Sequence, residues 1–318
     1  MKVLFVVPAP AGSRVGNRLT AERWSEHVQS LGHEVQVLER YSGEPADVLF
    51  ALHARRSAES IEAWSQAEAS GALVVVLTGT DLYVDTPTDA HVARALELAD
   101  RIVVLQSAAL ADLADALRGK AHVIVQSAPA VPDVERAADA FEVCVIGHLR
   151  AVKDPFRTAE AARLLAPDSG VRVLHIGAAL EDGMAQAANR EERENPRYHW
   201  LGEQAQEDCM IMLARAQACV LSSRAEGGAH SVLEAIATRT PLLATRIPGN
   251  VGLLGADYPG YFEVGDEIGL AALLTRLEAD AYFRDELVHA LDAHSALADP
   301  ERERSDLAAL LDGLADDA

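Results

Sequence analysis

Short apolar runs rich in β-branched residues, each about one buried strand long, recur along the chain and alternate with amphipathic stretches of helical period. This alternation constrains the fold more than any other feature. Runs such as "VLFVV", "ALVVVL" and "VCVIG" are apolar throughout rather than at every second residue, as expected of strands covered on both faces of a parallel sheet. In the first half, strands are expected at 3–7, 34–38, 47–52, 73–77, 101–105 and 122–125, with helices at 20–31, 57–69, 89–99 and 108–117. The stretch "SAPAVPDVERAADAFE", with Pro129 and Pro132, breaks the rhythm and reads as a linker. The alternation then restarts, with strands expected at 142–147, 171–176, 198–201, 218–221, 242–244 and 261–264. Helices are expected at 155–165, 181–192, 207–216, 229–238 and 269–277, and the last forty residues read as helix only.

Two such arrays of similar size predict an α/β protein of two doubly wound, Rossmann-like domains, 1–132 and 133–296. A C-terminal helix, 297–318, is free to pack back on the first domain. Ligands of these sheets sit at the carboxyl ends of the strands, so a cleft between the domains is the expected site. The loop after the first strand, "PAPAGSRVGNR", lacks G-x-G-x-x-G, and G-x-x-x-x-G-K-[ST] is absent, which disfavours NAD-type and P-loop chemistry.

The chain's 318 residues carry a formal net charge of −21, which argues against nucleic acid and anionic membrane as partners. A small anion needs only a local basic pocket and stays allowed. No apolar run approaches the roughly 18 residues of a membrane span. The apolar start leads into a Gly-containing loop and reads as a strand rather than a signal peptide. Cys144, Cys209 and Cys219 show no metal-ligand spacing, and reduced thiols in a cytoplasmic protein are the simplest expectation.

The stretch "RAEGGAHSVLEA" (224–235) is a strand-to-helix turn at a strand's carboxyl end. Gly227 and Gly228 permit close backbone approach. Amides near Ala229, His230 and Ser231 open a helix, where a phosphate is favoured. Glu226 and Glu234 can each accept hydrogen bonds from two adjacent hydroxyls of a sugar or ribose. Alone, a Glu-x7-Glu spacing is common by chance, and the pair reads more readily as a solvated glutamate beside a flexible loop. A second turn, "VIGHLRAVKDP", places His148, Arg150 and Lys153 after a strand, where cations suit a diphosphate whose charge grows as a bond breaks. It too reads alone as an ordinary charged loop.

Together, "GHLRAVK" and "EGGAHSVLEAIATRTPLLAT" resemble, in order, the G-R-L-x-x-x-K and E-G-x-G-x-x-x-x-E-A signatures of GT-B nucleotide-sugar glycosyltransferases of the family 4 type. The resemblance implies that Lys153 and Arg150 hold the donor diphosphate, that Glu226 contacts the sugar and Glu234 the ribose, and that Gly228, Ala229, His230 and Ser231 complete the donor site. His148 stands where the family has Arg, which leaves Arg150 to supply that charge. Further stretches, "PAPAGSRVGNRLTAERW", "ALHARRSAESI", "LTGTDLY" and "RIPGNVGLLGADYPGYF", resemble the selenosugar synthases of selenoneine biosynthesis. These small GT-B enzymes join selenophosphate to the sugar of a UDP-sugar through a carbon–selenium bond. That resemblance implies UDP-GlcNAc or UDP-glucose as donor, no cofactor, and a downstream C–Se bond-forming enzyme that takes the product.

On that reading the first domain binds the acceptor. "AGSRVGNR", with Gly12, Ser13, Arg14, Asn17 and Arg18, enters a helix as an anion-binding loop would. His53, Arg55 and Arg56, and then Thr80 and Asp81, stand at two further strand ends. An oligosaccharide or lipid acceptor would favour aromatic or apolar surface there instead, and aromatics are 5% of the chain. An anionic selenium nucleophile needs little general-base help, so His53, His148 and His230 are better hydrogen-bonding residues than bases. No Asp-x-Asp donor-metal motif is evident. Two other readings stay open: a GT-B enzyme with a hydroxyl acceptor, and a non-catalytic sugar-phosphate binding protein. Sugar preference and retention or inversion of configuration are also open.

Overall fold

The structure is a computed structural model that describes residues 1–316 apart from 68–70, 84–88, 130, 132–133 and 138–139. The expected domain boundary at 132/133 and the end of the expected helix 57–69 lie outside the described residues. The chain forms two units. One comprises Met1–Ser127, Glu226–Gly228 and Asp299–Ala318, the other Ala128–Ala225 and Ala229–Ala298.

The first unit is built on β1 (Lys2–Val6), β2 (Glu34–Leu38), β3 (Val48–Leu52), β4 (Ala72–Leu77), β5 (Arg101–Val104) and β6 (Ala121–Val123). They form one parallel sheet in the order β2-β1-β3-β4-β5-β6. Successive side chains of a strand point to opposite faces, so a continuous apolar run feeds two cores. Leu4, Val6, Leu49 and Val75 pack with Ile61 and Trp64 on one face. Val3, Phe5, Phe50 and Val74 pack with Trp24, Val28 and the leucines of the last helix, Pro300–Asp316, on the other. Phe5 and Phe50, neighbours across β1 and β3, stack with ring centroids 4.9 Å apart.

The second unit is built on β7 (Phe141–Ile146), β8 (Val171–Ile176), β9 (Tyr198–Trp200), β10 (Ala218–Leu221), β11 (Leu242–Thr245) and β12 (Tyr261–Phe262), again all parallel, in the order β12-β11-β10-β7-β8-β9. In each sheet the chain winds outward from its first strand and then returns to that strand's other side. The order therefore reverses between β1 and β3 in one sheet and between β7 and β10 in the other. Side chains at the carboxyl ends beside such a reversal are the ones a ligand meets.

The strands lie where the apolar runs predict, to within a residue or two at each end. The expected helix 108–117 is instead two single turns, Ala109–Asp112 and Asp115–Arg118. Leu113 between them turns to an extended conformation (φ −79°, ψ 142°) and is buried. Packing one leucine outweighs the weak cooperativity of a short helix. A helix not expected, Pro248–Leu254, opens with Pro at its start, where its missing N–H costs nothing; its two interior glycines hide it from a propensity reading.

Candidate active site

In the second unit, β7 ends at Ile146 and the chain runs through Gly147, His148, Leu149 and Arg150 into a 3-10 turn, Ala151–Lys153, before the helix Arg157–Arg163. Gly177, after β8, lets this exit lie flat on its neighbour: a Cβ there would sit 2.1 Å from the Gly147 carbonyl oxygen. Beside it, the Ala178 N–H donates to His148 Nδ1 (3.0 Å). Arg150 Nε lies 3.7 Å from Glu181, whose other oxygen accepts from the Ala151 N–H (2.7 Å). Arg150 is therefore partly neutralised, and both side chains keep substantial exposure.

The exit of β10 is tied to this turn. Ser222 Oγ donates to the carbonyls of Lys153 (3.1 Å) and Asp154 (3.0 Å), and the Arg224 N–H donates to the Val152 carbonyl (2.8 Å). Asp154 takes a left-handed conformation (φ 46°, ψ 56°) and accepts from Arg157 Nε (3.0 Å) and Arg224 Nη2 (3.3 Å). A non-glycine residue in that region is held by its surroundings, here two arginines and a serine. The helix His230–Thr238 follows, and its N-cap, the buried Ala229, offers no side-chain acceptor to the first-turn amides. Ser231 Oγ reaches the Ile146 carbonyl at the end of β7 (3.3 Å). Glu234, one turn into the helix, is buried, and its Oε1 lies 3.1 Å from His230 Nδ1, one turn before it. The helix start at Ala229, Arg150 and Lys153 thus belong to strand ends on the two sides of the order reversal.

In the first unit the loop after β1 turns at Gly12 (φ 77°), closed by the Ser13 N–H on the Pro10 carbonyl (3.1 Å), and enters the helix Gly16–Ser30. Ser13 Oγ is buried and lacks a hydrogen-bond partner among the described residues. Asn17 Nδ2 donates to Thr78 Oγ1 (3.2 Å), and Arg18 is buried in a 2.6 Å pair with Glu22. After β3, His53 is buried with φ 71°, a region uncommon for non-glycine residues. Its Nε2 meets Thr80 Oγ1 at 3.0 Å, and its Nδ1 lies 3.7 Å from Asp81 Oδ2. Asp81 is completely buried and accepts the N–H groups of Ala54 (2.9 Å), Thr78 (2.9 Å) and Gly79 (2.8 Å). It therefore fixes the exits of β3 and β4 against each other. Arg55 is exposed and pairs with Asp89 (2.8 Å), and Arg56 is exposed.

Glu226–Gly228 group with this first unit. A Cβ on Gly227 would lie 2.4 Å from the Thr78 carbonyl carbon, and one on Gly228 would lie 2.5 Å from Leu105 Cβ. Both glycines thus allow close packing on protein, and Glu226 beside them is half-buried. Among the described residues no cluster of three or more His, Cys, Asp or Glu side chains is placed to hold a metal ion, and no helix is long and apolar enough to cross a membrane. Sequence reading missed Glu181, Asp154, Asp89, His175 and Tyr198. Of these, only His175, a polar residue between Leu174 and Ile176 in the strand run "VRVLHI", carries a visible signal.

Two six-stranded parallel sheets, each reversing its order beside its first strand, are the architecture of GT-B glycosyltransferases. The family described as glycosyl transferases group 1 matches residues 130–292, just over half of the chain, and the protein belongs to that family. It is a glycosyltransferase. Its fold is similar to that of Anabaena HepE, solved with UDP-glucose (TM-score 0.78, 15% identity, 98% of this chain and 100% of that one covered). It is also similar to that of sucrose-phosphate synthase from Thermosynechococcus elongatus (TM-score 0.80, 14% identity, 100% and 99% covered).

Proposed function

We propose that the protein transfers the sugar of a UDP-sugar, UDP-GlcNAc or UDP-glucose, to selenophosphate. The observation that carries the donor half is the 147–156 loop with Arg150 and Lys153, tied to the β10 exit in the same unit as the helix start at Ala229. Two cations and a helix start suit a leaving diphosphate. HepE, similar in fold, is solved with UDP-glucose. The acceptor half rests on Ser13, a buried hydroxyl without a partner in a Gly12 turn that opens a helix. An unmet donor there suits an oxygen of a small tetrahedral anion.

In the proposed step a selenium lone pair attacks the anomeric carbon, the C–Se bond forms, and the bond from that carbon to the diphosphate oxygen breaks. UDP leaves with the bonding electrons. Arg150, Lys153 and the amides after Ala229 stabilise it, while Glu226 holds sugar hydroxyls and Glu234 the ribose. The nucleophile is already anionic, so His53, His148 and His230 orient groups rather than remove a proton.

The test is incubation with each UDP-sugar, with and without selenophosphate. UDP release that requires selenophosphate, with a selenium-bearing sugar in the mass spectrum, is expected. Release independent of selenophosphate overturns the acceptor and favours a hydroxyl acceptor. Binding of UDP without turnover under any acceptor overturns transfer. Lys153→Ala is expected to lower turnover by about 10²-fold with an unchanged circular dichroism spectrum; near-normal turnover would remove Lys153 from the site.

A further inference from the structure

His175 lies on β8, an interior strand of the second sheet whose only other polar residue, Arg172, is exposed, and is itself buried. A leucine would serve packing there better, since an imidazole must find partners for two ring nitrogens. Its partners are specific. Nε2 lies 3.1 Å from the carbonyl oxygen of Gly147, the first residue of the loop that carries His148, Arg150 and Lys153. Nδ1 lies 3.0 Å from the Tyr198 hydroxyl on the edge strand β9.

The protons in this chain follow from chemistry. A carbonyl only accepts, so Nε2 bears the hydrogen and donates to Gly147. Nδ1 of that neutral tautomer accepts, so the Tyr198 hydroxyl donates to it. Burial pushes the imidazole down to about 4 and pushes the phenol up, so both groups keep these protons across the physiological range. The far end of the same loop meets the same tyrosine. Phe156, the last residue before the helix Arg157–Arg163, packs edge-on against the Tyr198 ring with centroids 6.4 Å apart. Trp200, also on β9, donates from Nε1 to the carbonyl of Gly177 (2.9 Å), the residue whose missing side chain lets it lie on Gly147.

We propose that Tyr198 and His175 are positioning residues for the donor site, fixing the 147–156 loop at both ends so that Arg150 and Lys153 are held ready for the diphosphate of a nucleotide-sugar. The assignment rests on the donor half of the proposed function. Neither residue touches substrate; they act through the Gly147 carbonyl and the Phe156 ring. Misplacing a charge-stabilising loop by about 1 Å can cost on the order of 10²-fold in rate.

The probe is UDP alone, titrated calorimetrically into the full-length protein, alongside thermal melting. His175→Leu is expected to weaken UDP affinity about tenfold or more. His175→Gln, whose amide N–H can still reach the Gly147 carbonyl, should recover most of that loss. Tyr198→Phe keeps the ring against Phe156 and should fall between. Val173→Ala, a buried truncation on the same strand, supplies the comparison: it lowers the melting temperature and leaves UDP affinity within about twofold. Equal UDP affinity in His175→Leu and wild type, or a loss no larger than in Val173→Ala, overturns the assignment while the donor reading stands. If His175→Leu does not fold, unchanged affinity in Tyr198→Phe overturns it. A wild-type protein that does not bind UDP overturns the donor reading first and the assignment with it.

Discussion

Glu303 is a completely buried carboxylate on the last helix, and its replacement by Gln is the most demanding test of how the first unit is held together. Burial alone would drive the carboxyl toward its neutral form. The groups around it reverse that. Arg23 Nε lies 2.9 Å and Nη2 3.3 Å from its oxygens, Trp24 Nε1 donates at 2.6 Å, and the Ser127 N–H at 3.0 Å. The Ser127 hydroxyl also donates to Oε2, and His27 Nε2, at 3.4 Å, is the most distant of the set. Together they hold the carboxyl far below the usual carboxylate range. Gln keeps the shape but removes the charge opposite Arg23 and turns an NH2 toward a set in which Arg23, Trp24 Nε1 and the Ser127 N–H can only donate. Breaking a buried ion pair from one side costs about 3–5 kcal/mol. For a unit of this size that lowers the melting temperature by roughly 10 °C. Trp24→Phe, which removes one donor and leaves the carboxylate otherwise satisfied, should cost only about 1–2 kcal/mol. Leu307, Leu310, Leu311 and Leu314 still bind the helix to the sheet, so the Gln variant should fold. Calorimetric melting of the three proteins reads the difference directly. A cost below about 1 kcal/mol for Glu303→Gln would refute the reasoning, because it would mean that water replaces the network at no loss.

His175 gives a pH prediction of defined sign. Its pKa falls from 6.5 to about 4 on folding, so the unfolded chain binds the extra proton; this stability is complete above pH 6.5 and is lost as pH falls toward 4. Between pH 7 and pH 5 the loss is about 2 kcal/mol, and it should be absent in His175→Gln when the unfolding free energies of both proteins are compared at the two values. Gly177→Ala and Gly183→Ala both add a side chain at a positive φ, 154° and 79°, but only the first would strike backbone, and at Gly183 nothing lies within 4 Å. The first should cost at least about 3 kcal/mol and the second about 1–2 kcal/mol in urea unfolding; equal costs would show that conformation, not contact, sets the penalty.

What was legible in the chain was whatever local pattern dictates. The strands of both sheets could be read because parallel strands covered on two faces must be apolar throughout, and the helix His230–Thr238 because a strand, a glycine pair and an amphipathic run fix a turn between them. What escaped was set by contacts between residues distant in sequence. Nothing near Gly227 announces that its bare Cα lies against Thr78 and Gly79, or that Asp81 gathers the amides of two separate strand ends. Charge pairing has the same limit. Arg18 and Glu22 are four apart on one helix and their pairing could be anticipated, whereas Arg55 with Asp89 and Arg150 with Glu181 could not.

His175 lies between these cases. Its position in "VRVLHI" states that a polar group is buried and must have partners, but not which ones. The parallel register narrows the choice, because His175 pairs with Val145 on one side and Trp200 on the other. A side chain there reaches the end of β7 and the start of β9, which is where Gly147 and Tyr198 stand. A lone buried histidine in an interior parallel strand is therefore a pointer to the loop at the carboxyl end of its neighbour, and here that loop carries Arg150 and Lys153.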